Sequence, residues 1–394
     1  MFAPNNVGRM KIKKNYILSP GPTAIPSEIS LAGALPMIHH RTPQFQKVIK
    51  EVAEGLKYFF VTENPVYFVP SSGTGVMEMA IANLTSQGET ILVVEGGKFG
   101  ERWSEIARAF HLNVIPIKIE YGKAIQPAQI EEALKKNPEA KGVFTQLSET
   151  STGCVYDIEA IGKVVSKTEA LFVVDGISGL GAEPCYPDQW GVDCILTGSQ
   201  KGVMLPPGLG FISVSPKAWK KIEQSKNPRF YFDLKSYRKA LQSDDSPYTP
   251  AISLLFQLQE ALKIVKSETI EGVWARHGWL ANATRAGVQA LNLELFAERP
   301  GNILTSVKVP AGLDGEKIVK MMRDDLGVTI AGGQGEMKGK VLRIAHLGYV
   351  DRFDVIVGIS ALEIAMKRLG ASVKLGTGLA AAQEALWQDP KGGL

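Results

Sequence analysis

The chain has 394 residues, of which 45% are hydrophobic and 21% are charged. This composition is typical of a soluble globular protein and excludes an intrinsically disordered one, and the length favours two domains. The net charge of +4 is too small to suggest nucleic acid or an anionic membrane as a partner.

The basic N-terminal segment, residues 1–15, lacks the apolar stretch of a signal peptide. No apolar run in the chain is as long as a membrane span. We therefore expect a cytoplasmic protein without membrane contact, in which residues 1–15 form a mobile arm.

In the extended stretch that follows, Gly21 stands between two prolines and permits a close approach of the backbone. Residues 16–23 are either a surface turn or the wall of a pocket.

A candidate anion site follows the first strong strand, at residues 66–69. The turn Ser72-Gly73-Thr74-Gly75 leads from this strand into a helix, so free N–H groups and the positive end of the helix dipole point to one place. The hydroxyl groups of Ser72 and Thr74 add donors. The turn lacks the lysine of a Walker loop, and many turns of this composition bind nothing.

Two later segments place an aromatic ring and two hydroxyl groups after strands. Phe99 lies between glycines after the strand at residues 90–94, where it either packs within a loop or offers its face to a flat ring. Thr150 and Thr152 lie in a polar segment that follows the strand at residues 142–147.

A carboxylate and an amine follow the next two strands. Asp175 closes the apolar run at residues 170–174, and Lys201 lies in a polar turn after the run at residues 192–196. A pyridoxal phosphate enzyme needs such a pair, because a lysine forms the Schiff base and an acid keeps the pyridine nitrogen protonated. A lone lysine after a strand is nearly always a solvated loop residue, so this interpretation depends on the other segments.

Strands that alternate with helices predict an α/β fold with a mostly parallel sheet covered on both faces. Ligands of such sheets bind beyond the carboxyl ends of the strands. Each polar segment above follows a strand, and we expect all of them at this one edge.

The pattern changes beyond residue 265. It predicts a large domain at residues 16–265 and a smaller C-terminal α+β domain at residues 266–394, with which residues 16–30 could pack. Within the first domain, residues 225–250 read as a long functional loop. The last residues, 388–394, are expected to be frayed.

Arg343 lies inside the predicted strand at residues 341–345, on the face opposite its apolar neighbours. It is either solvated at a sheet edge or a bidentate clamp for a substrate carboxylate. No metal is expected, because Cys154, Cys185 and Cys194 are too few and too dispersed for a metal site or a disulfide framework.

In this order the motifs resemble those of the class V aminotransferases of fold type I, and within them the serine–pyruvate and alanine/serine–glyoxylate aminotransferases. The resemblance spans roughly residues 15–370. Its markers are Ser19-Pro20-Gly21-Pro22, Ser72-Gly73-Thr74-Gly75, Gly97-Lys98-Phe99-Gly100, Glu149-Thr150-Ser151-Thr152-Gly153, Val174-Asp175-Gly176-Ile177-Ser178, Gly198-Ser199-Gln200-Lys201-Gly202, Tyr248-Thr249-Pro250 and Leu342-Arg343-Ile344.

The resemblance implies a large domain with a mostly parallel, seven-stranded sheet, a pyridoxal 5'-phosphate cofactor, and transamination of alanine or serine with glyoxylate or pyruvate. It implies that Lys201 forms the Schiff base and then moves the proton, and that Asp175 pairs with the pyridine nitrogen. It also implies that Arg343 binds the α-carboxylate, with the backbone of Gly21 facing it.

The resemblance also implies which residues contact the ring, the phenolic oxygen and the phosphate of the cofactor. Phe99 stacks on the ring, and Thr150 or Thr152 bonds to its phenolic oxygen. Tyr248 and Thr249 reach the phosphate of the partner subunit's cofactor, which implies an obligate homodimer. The full cofactor set is Ser72, Gly73, Thr74, Phe99, Thr150, Thr152, Asp175, Ile177, Gln200, Lys201, Tyr248 and Thr249.

Other chemistries share this scaffold. A cysteine desulfurase needs a cysteine before the carboxylate-binding arginine, and residues 326–342 contain none. A lyase or a 2-aminoethylphosphonate-type aminotransferase stays open. A hydrogenase-associated subunit would need metal ligands, and the three dispersed cysteines do not supply them, which disfavours this alternative. No second arginine is clearly placed to bind a side-chain carboxylate, which favours a small neutral amino donor.

Overall fold

The computed structural model describes residues 13–388. The expectations for residues 1–12 and 389–394, in the N-terminal arm and the C-terminal end, lie outside the described residues. At the described end of the predicted arm, the Lys13 Nζ donates hydrogen bonds to the carbonyl oxygens of Arg323 and Asp324, at 2.8 and 2.7 Å. These bonds tie Lys13 to the C-terminal half of the chain.

The strands and helices follow one another along the whole described range. The strands are β1 (Tyr16–Ile17), β2 (Val66–Ser71), β3 (Thr90–Glu95), β4 (Asn113–Lys118), β5 (Gly142–Gln146), β6 (Ser148–Glu149), β7 (Cys154–Val155), β8 (Leu171–Asp175), β9 (Cys194–Gly198), β10 (Gly208–Val214), β11 (Leu304–Lys308), β12 (Val328–Thr329), β13 (Ala331–Gly332) and β14 (Val341–Ala345). The helices are α1 (Ser27–Ala32), α2 (Pro43–Phe60), α3 (Gly73–Leu84), α4 (Lys98–Ala109), α5 (Pro127–Lys136), α6 (Ile158–Val165), α7 (Pro216–Gln224), α8 (Leu234–Leu241), α9 (Ile252–Glu268), α10 (Ile270–Ala290), α11 (Gly315–Asp324), α12 (Arg352–Arg368) and α13 (Thr377–Trp387), and a 3-10 turn covers Gly335–Met337.

The largest sheet has seven strands in the order β2-β10-β9-β8-β5-β3-β4. Its pairs are parallel except where β10 runs antiparallel between β2 and β9. Apolar side chains fill both faces of the sheet, with α3, α4 and α7 on one side and α2, α5, α6 and α9 on the other. The predicted mostly parallel, seven-stranded sheet is confirmed.

A second sheet, in the order β11-β14-β13, packs with helices α10 to α13 around its own apolar cluster. The two-residue strand β1 pairs in parallel with β12, so the start of the described chain joins these C-terminal elements. The predicted division of the chain near residue 265 stays a prediction.

The N-termini of two helices are capped by acidic side chains from other parts of the sequence. Helix α13 follows Gly376, which has no side chain to cap it; the carboxylate of Glu363 on α12 accepts the N–H groups of Gly376, Gly378 and Leu379 instead, at 2.7, 2.7 and 3.1 Å. Helix α4 is capped in the same way by Glu149, as described below. A carboxylate at a helix N-terminus satisfies free N–H groups and interacts favourably with the dipole.

The structure corrects two of the expected assignments. Residues 225–250 are not one long loop, because α8 lies within them and is capped by Asp233, whose carboxylate accepts the N–H of Lys235. Helix α4 begins at Lys98, so Phe99 lies in the first turn of a helix and not in a loop. None of the helices that the structure describes is long and apolar enough to cross a membrane.

Candidate active site

The two central groups of the site follow adjacent parallel strands. Asp175 is the last residue of β8, and Lys201 lies three residues beyond the end of β9. The register places Asp175 opposite Leu196, so both strands reach the same edge of the sheet. The sequence-based expectation of a carboxylate and an amine at one edge agrees with this arrangement.

Lys201 is only 9% exposed. Burial lowers the pKa of its amine to about 8; the Asp175 carboxylate opposes this, while the guanidinium groups of Arg343 and Arg102 add to it. The Nζ donates a hydrogen bond to the carbonyl oxygen of Pro20. Near neutral pH a much larger fraction of this amine is unprotonated than of an exposed lysine, and the unprotonated form is the nucleophilic one.

Burial raises the pKa of Asp175 to about 7. The N–H of Ile177 donates to Oδ1 at 2.7 Å and favours the charged form. A cation such as a pyridinium nitrogen beside this carboxyl would also favour the charged form, because opposite charges stabilise each other in a buried site.

The backbone at Gly21 lies against the lysine side chain. A Cβ added to Gly21 would lie 2.6 Å from Lys201 Cε, and the φ of Gly21 is +134°. Both facts require glycine at this position. Of the two sequence-based interpretations of residues 16–23, the structure supports a pocket wall, with Pro20 and Gly21 closing one side of the amine.

The expected anion cradle lies beside the lysine turn. Ser72 caps α3, since its hydroxyl accepts the N–H of Gly75 at 3.4 Å. A Cβ added to Gly198 would lie 3.5 Å from the backbone nitrogen of Gly73 and 3.0 Å from Gln200 Oε1. The start of α3, the end of β9 and the side chain of Gln200 therefore meet.

Two residues close the cradle on either side. A Cβ added to Gly73 would lie 2.7 Å from Ile177 Cδ1, so only glycine lets Ile177 pack there. Gln200 Oε1 is buried and has no hydrogen-bond partner among residues 13–388. A buried amide group without a partner in a polar cleft is typical of a site that receives a polar ligand.

Phe99 is fixed by a residue to which the sequence assigned no role. The fully buried carboxylate of Glu149 accepts the N–H groups of Phe99 and Gly100, at 3.2 and 3.0 Å. It also accepts the N–H and hydroxyl of Ser151, at 3.1 and 2.6 Å. Burial raises the pKa of Glu149, and these four hydrogen bonds oppose the shift. Gly97 is needed here, because a Cβ would lie 2.5 Å from Glu149 Cγ.

The two threonines differ in their partners. The Thr150 hydroxyl lies 2.5 Å from that of Ser178. The Thr152 hydroxyl bonds within its own turn, donating to the carbonyl oxygen of Glu149 and accepting the N–H of Cys154, both at 3.3 Å. Thr152 is fully buried, and Thr150 is 5% exposed. Thr150 is therefore the better placed of the two to meet a ligand.

Arg343 reaches the same site from the smaller sheet. Its Nε donates to the carbonyl oxygen of Gly332 and its Nη1 to that of Thr150, both at 2.9 Å. Nη2 has no hydrogen-bond partner within the described range. The residue is 4% exposed on the middle strand of its sheet, so the sheet-edge interpretation is wrong. Burial lowers its pKa to about 10, which leaves it charged at neutral pH.

Tyr248 and Thr249 make no hydrogen bond to the cradle, Lys201 or Asp175 within residues 13–388. The Tyr248 hydroxyl donates to the carbonyl oxygen of Phe230 at 3.0 Å, and its ring stacks on that of Tyr231. No hydrogen bond joins Tyr248 or Thr249 to Lys201 or Asp175 anywhere in the described chain. Nor do residues 13–388 contain a group of three or more His, Cys, Asp or Glu side chains placed to hold a metal ion.

Comparison with known proteins identifies the family of the chain. A model of the aminotransferase class-V family matches residues 26–346. The chain is 41% identical to the soluble hydrogenase 42 kDa subunit of Anabaena cylindrica, covering 94% of this chain and 98% of that protein. It is 37% identical to the L-aspartate–glyoxylate aminotransferase of Paracoccus denitrificans (94% and 96%) and 36% identical to the serine–glyoxylate aminotransferase of Methylorubrum extorquens (96% and 97%).

Among solved structures, the chain is similar to the pyridoxamine–pyruvate aminotransferase of Mesorhizobium loti. The TM-score is 0.92 at 28% identity, and the match covers 97% of this chain and 99% of the other. The likeness thus extends over nearly the entire fold, including both sheets.

Proposed function

The chain belongs to the class V aminotransferases, and from this membership we propose that it transfers the amino group of a small amino acid, alanine or serine, to glyoxylate or pyruvate. It is an aminotransferase of fold type I, and the family implies pyridoxal 5'-phosphate as its cofactor. Three of the proteins named above, the aminotransferases, act on glyoxylate or pyruvate according to their names, which supports a small 2-oxo acid as acceptor.

The residues present fit pyridoxal phosphate at each of its functional groups. The N-terminus of α3, with Ser72 to Thr74, suits a phosphate, and the side chain of Gln200 lies beside it. Phe99 offers an aromatic face, and the Thr150 hydroxyl offers a hydrogen bond to the phenolic oxygen. Asp175 suits a protonated pyridine nitrogen.

When bound, pyridoxal phosphate supplies an aldehyde that condenses with amines and a ring that withdraws electrons from the substrate α-carbon. Lys201 would hold the cofactor and, as a free amine, its Nζ would accept the proton of that carbon and pass it on to the cofactor. Asp175 would keep the proton on the pyridine nitrogen. Pro20 and Gly21 exclude solvent from one side of Nζ.

The observation that carries the proposal is the position of Arg343. Its guanidinium group is buried beside Thr150, and two of its three nitrogens are fixed by backbone carbonyl oxygens. The third, Nη2, has no protein partner in the described range and is therefore available to the carboxylate shared by amino acids and 2-oxo acids. A guanidinium group that is held in place by two backbone carbonyl oxygens and keeps one nitrogen unpaired is suited to bind an anion.

Absorbance spectroscopy with a panel of amino donors tests the proposal. The protein with bound pyridoxal phosphate should absorb in the visible or near-ultraviolet range, and Lys201→Ala should lose this band. Alanine or serine should convert the wild-type spectrum to that of the pyridoxamine form, and glyoxylate or pyruvate should restore it. The substrate proposal fails if only aspartate, glutamate or 2-aminoethylphosphonate produces the conversion.

The name of the Anabaena cylindrica relative, a soluble hydrogenase subunit, describes that protein. Lys201, Asp175 and Arg343 would each have a direct function in an aminotransferase. None of the three would have one in a hydrogenase subunit. Protein that fails to take up added pyridoxal phosphate would favour a different function.

We also propose a homodimer in which Tyr248 and Thr249 of one subunit reach the cofactor of the other. The resemblance of Tyr248-Thr249-Pro250 to the family motif supports this arrangement. Exposed apolar side chains at Leu31, Leu35, Met37 and Phe230 supply contact area.

Mixed dimers test this arrangement. Lys201→Ala and Tyr248→Ala/Thr249→Ala proteins should each be impaired, and mixing them should restore one intact site per mixed dimer. No recovery in verified mixed dimers would place each site within one subunit. A cytoplasmic location stays a prediction that cell fractionation would test.

A further inference from the structure

Arg102 is a cation at the cofactor site to which no role has been assigned above. It lies on α4, one helical turn after Phe99, and is half-buried. No carboxylate among residues 13–388 lies within ion-pair distance of it. An arginine that is partly removed from water and lacks an acidic partner is available to bind an anion.

The contacts of Arg102 join the aromatic residue to the anion cradle. Its Nη1 donates to the Thr74 hydroxyl at 3.3 Å, in the first turn of α3. Its guanidinium carbon lies 4.9 Å from the centre of the Phe99 ring, a distance at which a cation is attracted by the ring face. The charge of Arg102 also influences the pKa values of both Asp175 and Lys201, which shows that it lies near the reacting groups.

The hydrogen bond to Thr74 gives the guanidinium group a direction. A hydroxyl group that accepts from arginine keeps its own proton to donate. Thr74 can therefore accept from Arg102 and donate to an anion held at the N-terminus of α3. Arginine, with five N–H donors in a rigid plane, can pack on a ring and bind an oxyanion at the same time.

The other two cations at the site are already engaged. The Lys201 amine is directed to the carbonyl oxygen of Pro20. Two nitrogens of Arg343 are held at Gly332 and Thr150, away from α3. Of these three cations, Arg102 is the one that is hydrogen-bonded to the cradle, through Thr74.

We propose that Arg102 binds the phosphate group of the cofactor, through its free N–H groups and through the Thr74 hydroxyl. The proposal rests on pyridoxal phosphate as the cofactor of this site. It makes Arg102 a phosphate-binding residue and not a contact of the amino donor.

The test compares pyridoxal phosphate with pyridoxal, which lacks the phosphate. Binding of each to the cofactor-free full chain is followed by absorbance titration in wild type, Arg102→Gln, Arg102→Lys and Arg108→Gln. Arg108 is a matched control, since it lies on the same helix and its removal changes the net charge equally. Arg102→Gln should weaken pyridoxal phosphate about tenfold or more, the loss typical of one hydrogen-bonded charge, and leave pyridoxal unchanged. Arg102→Lys should recover part of this affinity, and Arg108→Gln should match wild type.

Three results would overturn the proposal. Equal weakening of both ligands would mean that Arg102 acts on the ring or on folding. Unchanged affinity for both would mean that it does not contact the cofactor. A raised KM for an acidic donor, with unchanged cofactor affinity, would assign it to the substrate. Failure of the wild type to bind pyridoxal phosphate would instead refute the proposed function itself.

Discussion

Glu149 offers a prediction whose size follows from its contacts. The carboxylate accepts three backbone N–H groups and one hydroxyl group, from Phe99, Gly100 and Ser151, in a fully buried position. In Glu149→Gln the side chain keeps its shape, but one oxygen becomes an NH₂ group that cannot accept. Whichever way the amide turns, at least one buried N–H group loses its acceptor, at a cost of about 1–3 kcal/mol.

The same substitution should affect the cofactor, because Glu149 holds both Phe99 and the segment that contains Thr150. We expect a lower urea concentration at half-unfolding by circular dichroism. We also expect a roughly tenfold loss of affinity for pyridoxal phosphate, the equivalent of one net hydrogen bond, and a shifted absorbance band.

A matched control exists in the same chain. Glu363 is also buried and also caps a helix, α13, by accepting three backbone N–H groups. Glu363→Gln should cost a similar amount of stability and leave the affinity and the absorbance band unchanged. If the two variants lose cofactor affinity equally, or if Glu149→Gln is as stable as wild type, Glu149 does not position the site as argued.

Three further predictions concern the amine and its surroundings. The rate of pyridoxal phosphate uptake by the cofactor-free protein should rise about tenfold per pH unit up to pH 8 and then level off, because only the unprotonated Lys201 reacts and its pKa is lowered to about 8; a rise that continues to pH 10 would contradict this. Gly21→Ala should slow uptake, since its Cβ would press on Lys201 Cε at 2.6 Å, whereas Gly88→Ala, also at positive φ but with nothing within 4 Å, should not. Arg343→Gln should raise the KM for the amino donor roughly 10- to 100-fold, the range for a lost charged hydrogen bond, with little change in cofactor affinity; an unchanged KM in steady-state assays would remove Arg343 from substrate binding.

The sequence predicts those parts of the fold that depend on neighbouring residues. The strands of the large sheet are apolar runs bounded by polar residues, so Asp175 and Lys201 could be placed at strand ends. Helix α2 could be predicted because Thr42 and Pro43 form its own start, and the Thr42 hydroxyl accepts the N–H of Phe45.

The parts that were missed depend on residues far apart in the sequence. The start of α4, and with it the position of Phe99, is fixed by Glu149. Helix α13 is capped by Glu363, and a local pattern shows neither relation. In the sequence, the available signal for Glu149 is an acidic residue within a Ser/Thr-rich segment, and the signal for Arg102 is an arginine three residues after Phe99.

The antiparallel strand β10 has a consequence for how the protein is made. Strand β2, which leads into the phosphate cradle, pairs with β10 in the large sheet. Strand β10 also pairs with β9, the strand that precedes Lys201 in the sequence. During synthesis β2 emerges early, yet its edge stays unpaired until the chain has grown to Val214. The two halves of the cofactor site are therefore joined only when β10 inserts between them, so a nascent chain that stops before Gly208 should not retain pyridoxal phosphate. Cofactor capture on the ribosome would accordingly report the closing of this sheet, a pairing that is slow because the partners are so distant along the chain.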